Sequence, residues 1–495
     1  MAQAVASVIF FGLVLLPHLC TSYQASYNPG SRRFIIHSLS NDESEALTSM
    51  PACSSIPSGP ANENRLPLMH RDSPCSPLAS AGKKNRQASS TDVFERDVQR
   101  LRTIFAVTRP GKADASAAAP APAPASSGVT LPITGTDNSP VLGSLDYSVT
   151  VGFGTPAQKL PMDFDTLRLG SVSTLRCKPC RPGAAPCDPA FDPSMSSSFA
   201  GVACGPECPS LCQGSACSLN ITFWTNHSML VVANGSFIKD TLTLSPSATV
   251  DNFVLACIDV DRFHLFTRSS GLLDLSRSRF SLVSRLATST SPADNTTAAF
   301  SYCLPASPAS SRGFLSIGGA LPDLSGGDAG STPLVDNTVY YKNDYMVKLS
   351  GINVGGTELP IPATESSLAA LEVGASLTFF VPAIYGALRD EFRKQMTKYT
   401  MAPPYRWLDT CYNFTGLPGF EVPGIILEFE GGATLQPDIH QMMYFVDGSF
   451  NYVCLAFGAL PGQFPYSVIG NRAQQTVEVV YDVRGGKVGF IHGSC

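Results

Sequence analysis

A mainly β body in two lobes is what this sequence predicts, and three observations carry that reading. First, the 495-residue chain holds 41 glycines and 39 prolines while only 15% of it is charged, a composition that suits strands and turns better than helices. Second, from Leu131 onward short alternating runs recur: "YSVTVGF", "FIKDTLTL", "DNFVLACI", "FLSIGG", "YYKNDYMVKLSGINV", "IILEFE", "NYVCLAF" and "TVEVVYDV". Turn residues separate them, the signature of half-buried strands. Third, this body is too long for one sandwich, so two β lobes are expected. The clearest helical exception is "VPAIYGALRDEFRKQMTKY", from Val381 to Tyr399, with Pro382 near its start.

Upstream of the body the texture differs. Val5 to Leu16 is apolar, and small residues follow at Thr21 and Ser22. The run falls short of the ~18 residues a membrane span needs, so residues 1–22 read as a secretory signal. Residues 23–128 read as a propeptide and linker. Within them "TDVFERDVQRLRTIF" is helical in pattern: Thr91 or Asp92 caps it and Glu95 closes the capping box. Val93, Val98, Leu101, Ile104 and Phe105 make its apolar stripe. "ADASAAAPAPAPASSG" (Ala113 to Gly128) is an extended, cleavable Pro/Ala linker. The lobes are placed at 129–335 and 336–495.

Cysteines agree with export. Setting aside Cys20, Cys53 and Cys75 leaves Cys177, Cys180, Cys187, Cys204, Cys208, Cys212, Cys217, Cys257, Cys303, Cys411, Cys454 and Cys495. That even set predicts a fully paired body of six disulfides. Cys177-Lys-Pro-Cys180 also has zinc-ligand spacing, but no second CxxC completes a site, so no metal and no cofactor is expected. Asn220, Asn226, Asn234, Asn295 and Asn413 each open a glycosylation sequon. The net charge of −5 offers no basic surface for nucleic acid.

Five stretches carry a family resemblance: "LMHRDSPCSPL", "YSVTVGFGTPAQKL", "FSYCLP", "LSGINVGGTELPIP" and above all "SVIGNRAQQTVEVVYDVRGGKVGFIHGSC". Together they resemble plant nepenthesin-type pepsin-like aspartic proteases. The first resembles the subgroup that includes chloroplast nucleoid DNA-binding protease-like proteins. The resemblance spans nearly the whole chain and implies a bilobal pepsin-like fold, with a cleft between two pseudo-twofold-related lobes. Each lobe would give one carboxylate. The pair shares a proton and activates the water that hydrolyses a peptide bond.

The same resemblance locates the departures. The first motif, Asp-Thr-Gly-Ser in the family, reads Asp165-Thr166-Leu167-Arg168, with Gly170-Ser171 displaced downstream. The second falls on Glu372-Val373-Gly374-Ala375: the acid is one methylene longer and both hydroxyls are missing. The flap register puts Phe223 and Trp224 where Tyr-Gly is expected. The supporting hydrophobic-hydrophobic-Gly reads Leu272-Leu273-Asp274 in the first lobe and Val468-Ile469-Gly470 in the second.

Two functions follow from this pattern. One is an acid endopeptidase using Asp165 and Glu372, impaired because a shift of about 1 Å in such a site costs ~100-fold in rate. The other is a non-catalytic cleft-binding protein or inhibitor similar to plant xylanase inhibitors. Either implies a monomer with a polypeptide substrate or protein ligand between the lobes. It would be secreted or vacuolar, with no nucleic-acid or membrane partner.

Overall fold

The structure is a computed structural model. It describes residues 23–38, 65–71, 73, 75–76, 93–98, 100, 101, 104 and 146–493. Within the last span 167–171, 178–188, 210–211, 213–216, 225–228, 247, 262–268, 290–298, 307–312, 319–320, 325–328, 336–343, 362–366, 447–449 and 461–463 are excepted. The signal and linker assignments fall outside the described residues.

Strands dominate, as the turn-rich composition requires. "YSVTVGF" forms Tyr147–Phe153 and "IILEFE" forms Ile425–Phe429, while "TVEVVYDV" yields Val477–Asp482. Val477–Asp482 is buried at every position, so it lies in a sheet covered on both faces. One long sheet of 14 strands runs through the first lobe. The late strands Val477–Asp482 and Lys487–His492 join it beside Ala299–Cys303, tying the chain's end to the first lobe. An eight-stranded sheet around Met346–Val354 forms the second lobe. The helix Pro382–Gln395 packs on it through Ile384, Tyr385, Leu388 and Phe392. Pro382 opens that helix, where a missing N–H costs nothing.

The upstream segment is woven into these sheets rather than appended to them. Arg65–His70 lies between Phe314–Ile317 and Tyr147–Phe153 in the 14-stranded sheet. The hairpin Tyr23–Asn28 and Arg33–Ser38 pairs with Gly419–Pro423 of the second lobe. A helix follows, its described residues being 93–98, 100, 101 and 104. Its buried face departs from the expected apolar stripe. Phe94, Leu101 and Ile104 are buried, but so are Arg96, Asp97 and Arg100, while Val93 and Val98 are only half-buried. Charged side chains can be buried there because each meets a partner on the lobes.

Candidate functional site

Two strand ends deliver the two carboxylates. Gln158–Asp165 ends on Asp165 and pairs in parallel with Gly271–Asp274, which sets Asp274 opposite Asp165. Leu368–Leu371 leads into Glu372 and pairs in parallel with Ser467–Ile469. The two loops repeat one arrangement, as lobes related by a pseudo-twofold should. One hydroxyl crosses between them: Thr166 Oγ1 donates to the Leu371 carbonyl at 3.1 Å. The matching second-lobe residue, Val373, is buried and has no hydroxyl to return. Glu372 is oriented by its own loop, since the Gly374 amide donates to its Oε1 at 2.7 Å.

Between the carboxylates lies Arg100 of the upstream helix. Its Nη2 donates to Asp165 Oδ1 at 2.7 Å and to Glu372 Oε1 at 2.6 Å. All three side chains are essentially excluded from solvent. Gly374 makes the approach possible. A Cβ there would sit 2.8 Å from the Arg100 guanidinium and 2.9 Å from Glu372 Oε1, closer than real Cβ contacts come.

The rest of the helix is fastened by matched chemistry. The Asp97 carboxylate accepts from the backbone amides of Ser376 and Leu377, each at 2.8 Å. Arg96 lies 3.5 Å from Asp146, which also accepts from the Ser376 hydroxyl at 2.5 Å and from Asn471 at 3.2 Å. The Phe94 ring meets Tyr405 and Tyr444 edge-on, with centroids 5.6 and 5.1 Å away.

These surroundings move the titrations apart. Burial pushes the Glu372 carboxyl up and Arg100 pulls it back, while Asp165 adds to the rise. The net position is about 7. For Arg100, burial disfavours the charge, but Asp165 and Glu372 outweigh it and raise its pKa further. At Asp146 burial is overcome by Arg96, His70, Arg71 and the Ser376 hydroxyl, which hold it at about 2. Burial lifts Asp163, one strand position pair before Asp165, to about 7 against the Ser269 hydrogen bond.

Asp165 and Glu372, far apart in sequence, are therefore brought together on one nitrogen. Leu167, Arg168, Gly170 and Ser171 lie outside the described residues. The expected flap is a backbone hairpin: Ser218–Trp224 pairs with Met229–Ser245, with Phe223 opposite Leu230 and Trp224 opposite Met229. The side chains of Phe223 and Trp224, and residues 225–228, lie outside the described residues, as does Asn295. Asn234 and Asn413 are exposed.

Among the described residues, disulfides join Cys177–Cys257, Cys204–Cys212, Cys208–Cys217 and Cys411–Cys454. Cys303 is disulfide-bonded too. Cys180, Cys187 and Cys495 lie outside the described residues. Cys177 is thus spent on Cys257, which removes it from any zinc pair. Cys75, set aside in the sequence count, is itself disulfide-bonded, so the pairing draws on the upstream region as well.

Sequence reasoning missed Arg100, Asp97, Arg96 and Asp146. One signal was present. Phe94, Asp97, Arg100–Leu101 and Ile104 recur at three- and four-residue spacing, a single helical face that mixes apolar and charged groups.

Comparison with known proteins matches this architecture. Residues 147–319 fit the family described as Xylanase inhibitor N-terminal, and residues 344–492 fit Xylanase inhibitor C-terminal. An aspartyl protease family protein of Arabidopsis thaliana is 31% identical over 491 residues, covering 96% of this chain and 97% of its own. The chain belongs to the plant pepsin-like aspartyl protease family. A second relative, aspartyl protease AED1 of Arabidopsis thaliana, is 29% identical over 98% of this chain and 99% of its own. Among solved structures, conglutin gamma, a basic 7S globulin from lupine seeds, superimposes with a TM-score of 0.53 at 16% identity. It covers 70% of this chain and 91% of its own, and supports the bilobal fold.

Proposed function

We propose that this chain is a pepsin-like endopeptidase family member with weak or no peptide hydrolysis, exported through its N-terminal apolar run. In the uncut chain the reading is carried by Arg100 Nη2 within hydrogen-bond distance of both Asp165 and Glu372, and for lobes freed of residues 23–128 it is carried by the second-lobe motif Glu372-Val373-Gly374-Ala375. An attacking water needs the place between the carboxylates, and the guanidinium fills it. The second-lobe loop adds to the deficit: Glu372 is longer than aspartate, and Val373 and Ala375 offer no hydroxyl to orient it. Groups acting as one catalytic unit fail together, so these defects compound.

The test is cleavage of denatured globin between pH 3 and 6 by the full chain, before and after nicking of the Pro/Ala linker. A pepstatin-type inhibitor and Asp165→Asn serve as controls. Little turnover in every sample is expected. Strong, pepstatin-sensitive cleavage that disappears with Asp165→Asn would overturn the reading.

A second reading, a non-catalytic cleft-binding protein, is favoured by one further observation. The cleft already holds a polypeptide element, seated by Phe94, Asp97 and Arg100 on separate partners from both lobes.

A further inference from the structure

The hairpin Tyr23–Asn28 and Arg33–Ser38 lies far from the carboxylates, and its second strand is built like a core element. Phe34 and Ile36 are buried, while Arg33 and Ile35 are half-buried and His37 is exposed. That is the period-2 pattern of a strand with one covered face. The ladder partners match: Phe34 lies opposite Val422 and Ile36 opposite Phe420, both buried. Apolar cross-strand pairs of this kind stabilise a sheet. Tyr27, on the first strand of the hairpin, meets Phe34 with ring centroids 4.9 Å apart.

The second lobe is shaped to receive this hairpin. A Cβ at Gly419 would lie 2.7 Å from the Ile36 carbonyl oxygen, and one at Gly424 would lie 3.0 Å from that of Arg32. The two glycines therefore let the backbones close, and the Gly424 amide donates to the Arg32 carbonyl at 2.8 Å. Arg33 reaches the end of the helix Pro382–Gln395. Its Nη2 donates to the Gln395 carbonyl at 3.3 Å and its Nη1 to Gln395 Oε1 at 3.1 Å. A cation there satisfies one of the helix's last carbonyls and complements its dipole. Gly419–Pro423 ends its three-stranded sheet, so without the hairpin it has no ladder partner among the described strands. A bare edge of that kind is a template for pairing with another chain.

We infer that residues 23–38 are a lasting part of the second lobe, held there by Phe34 and Ile36, and that they stay bound when the chain is cut downstream of them. The partner of the Gly419–Pro423 edge is thus this chain's own N-terminal strand pair, which closes the edge to other strands. A cut between residues 39 and 52 leaves no cysteine on the hairpin side, so the contacts above are what retain it. The inference does not depend on whether Asp165 and Glu372 hydrolyse peptides.

The experiment uses the full-length chain with a site-specific protease sequence inserted after Asn41. After complete cutting, gel filtration is run at pH 5 and pH 7.5 in 1 M NaCl, which screens exposed pairs such as Arg32 with Glu358. Denaturing mass spectrometry of the body peak should find the N-terminal fragment at one copy per body in both buffers. The fragment of a cut Phe34→Ala/Ile36→Ala chain should be lost at least tenfold faster on dilution. Release of the unmodified fragment would overturn the inference, and so would equal retention of the double-alanine fragment. Should the inserted or substituted chain fail to fold by near-ultraviolet circular dichroism, hydrogen exchange of the unmodified chain decides. Ladder amides of Arg33–Ser38 should exchange within tenfold of those in Ile425–Phe429, a strand of the second-lobe sheet. Exchange more than tenfold faster in the hairpin would overturn the inference.

Discussion

The Asp165 loop and the Glu372 loop occupy equivalent places and have kept opposite halves of the same design. The first retains the aspartate and the hydroxyl of Thr166, which reaches across to Leu371. Its supporting turn has Asp274 where the second lobe has Gly470. The second loop retains both glycines, Gly374 and Gly470, but has no hydroxyl at Val373 or Ala375. At Gly470 the glycine is needed, since a Cβ would lie 2.2 Å from the Leu377 carbonyl oxygen. The difference explains where the upstream helix leans. The second loop, opened by Gly374 and followed by the Ser376 and Leu377 amides that donate to Asp97, receives Arg100 and Asp97. The first contributes the Asp165 carboxylate.

Removing the arginine should break the comparison most. Arg100→Ala leaves two buried carboxylates facing each other without a cation. Losing one partner of a buried ion pair costs about 3–5 kcal/mol. A fall of that order in unfolding free energy, from denaturant titration at pH 8, is expected. An unchanged midpoint would mean the ion triad does not hold the lobes.

Next in size is the pH dependence of the second loop. Glu372 moves from its ordinary 4.5 to about 7 on folding, chiefly through burial. Its folded pKa is raised, so its contribution to stability is fully present below 4.5 and is lost as pH climbs through 7. Asp163, raised from 3.8 to about 7, acts in the same sense. Asp146, lowered to about 2, acts in the opposite sense, and its contribution disappears only as pH falls from 3.8 toward 2. Stability should therefore decline between pH 4.5 and 7, and Glu372→Gln should flatten that decline. A slope unaltered by Glu372→Gln would show that the carboxyl titrates normally. The low Asp146 position has a consequence for the helix: its tie to Arg96 survives mild acid, so mild acid alone should not dislodge the helix.

Asp97→Ala comes third. It deprives two buried backbone amides of their acceptor, a loss of about 1–3 kcal/mol, and it acts on the second loop alone. Proteolytic cutting between residues 77 and 145 should also quicken, because the helix loses its central anchor. If cutting rates match those of the unmodified chain, Asp97 is not what seats the helix.

How much of this was legible in the sequence follows from what each signal depends on. Strands such as Tyr147–Phe153 and Val477–Asp482 were readable because alternation and turn residues are local properties. The pairing of Asp165 with Glu372 was readable only through the family pattern, since nothing local connects residues so distant. The upstream helix was found, but its buried face was misjudged. An apolar-stripe rule assigns Arg96, Asp97 and Arg100 to solvent, and only their partners on Asp146, Ser376–Leu377 and the two carboxylates make burial possible. The weaving of Arg65–His70 into the body was invisible for a similar reason: its place between Phe314–Ile317 and Tyr147–Phe153 is decided by those partner strands.

The smallest expected effect tests the first loop. Thr166→Val removes a hydroxyl that crosses between the loops and makes position 166 resemble Val373. Its Oγ1 donates to a buried carbonyl, and a typical net hydrogen bond contributes about 1 kcal/mol. Shape is nearly conserved, so little packing loss should be added, although the Leu371 carbonyl is left with one fewer donor. A drop of about 1–2 kcal/mol in unfolding free energy is expected. Asp165 should still meet Arg100, because that contact is made by the side chain and not by the turn. The paired measurement is Arg100→Ala in the Thr166→Val background. The two losses should add if the hydroxyl link and the ion triad hold the lobes independently. A coupling of 1 kcal/mol or more would instead show that the crossing hydroxyl sets the position of Asp165, and that the loops are asymmetric in role as well as in sequence.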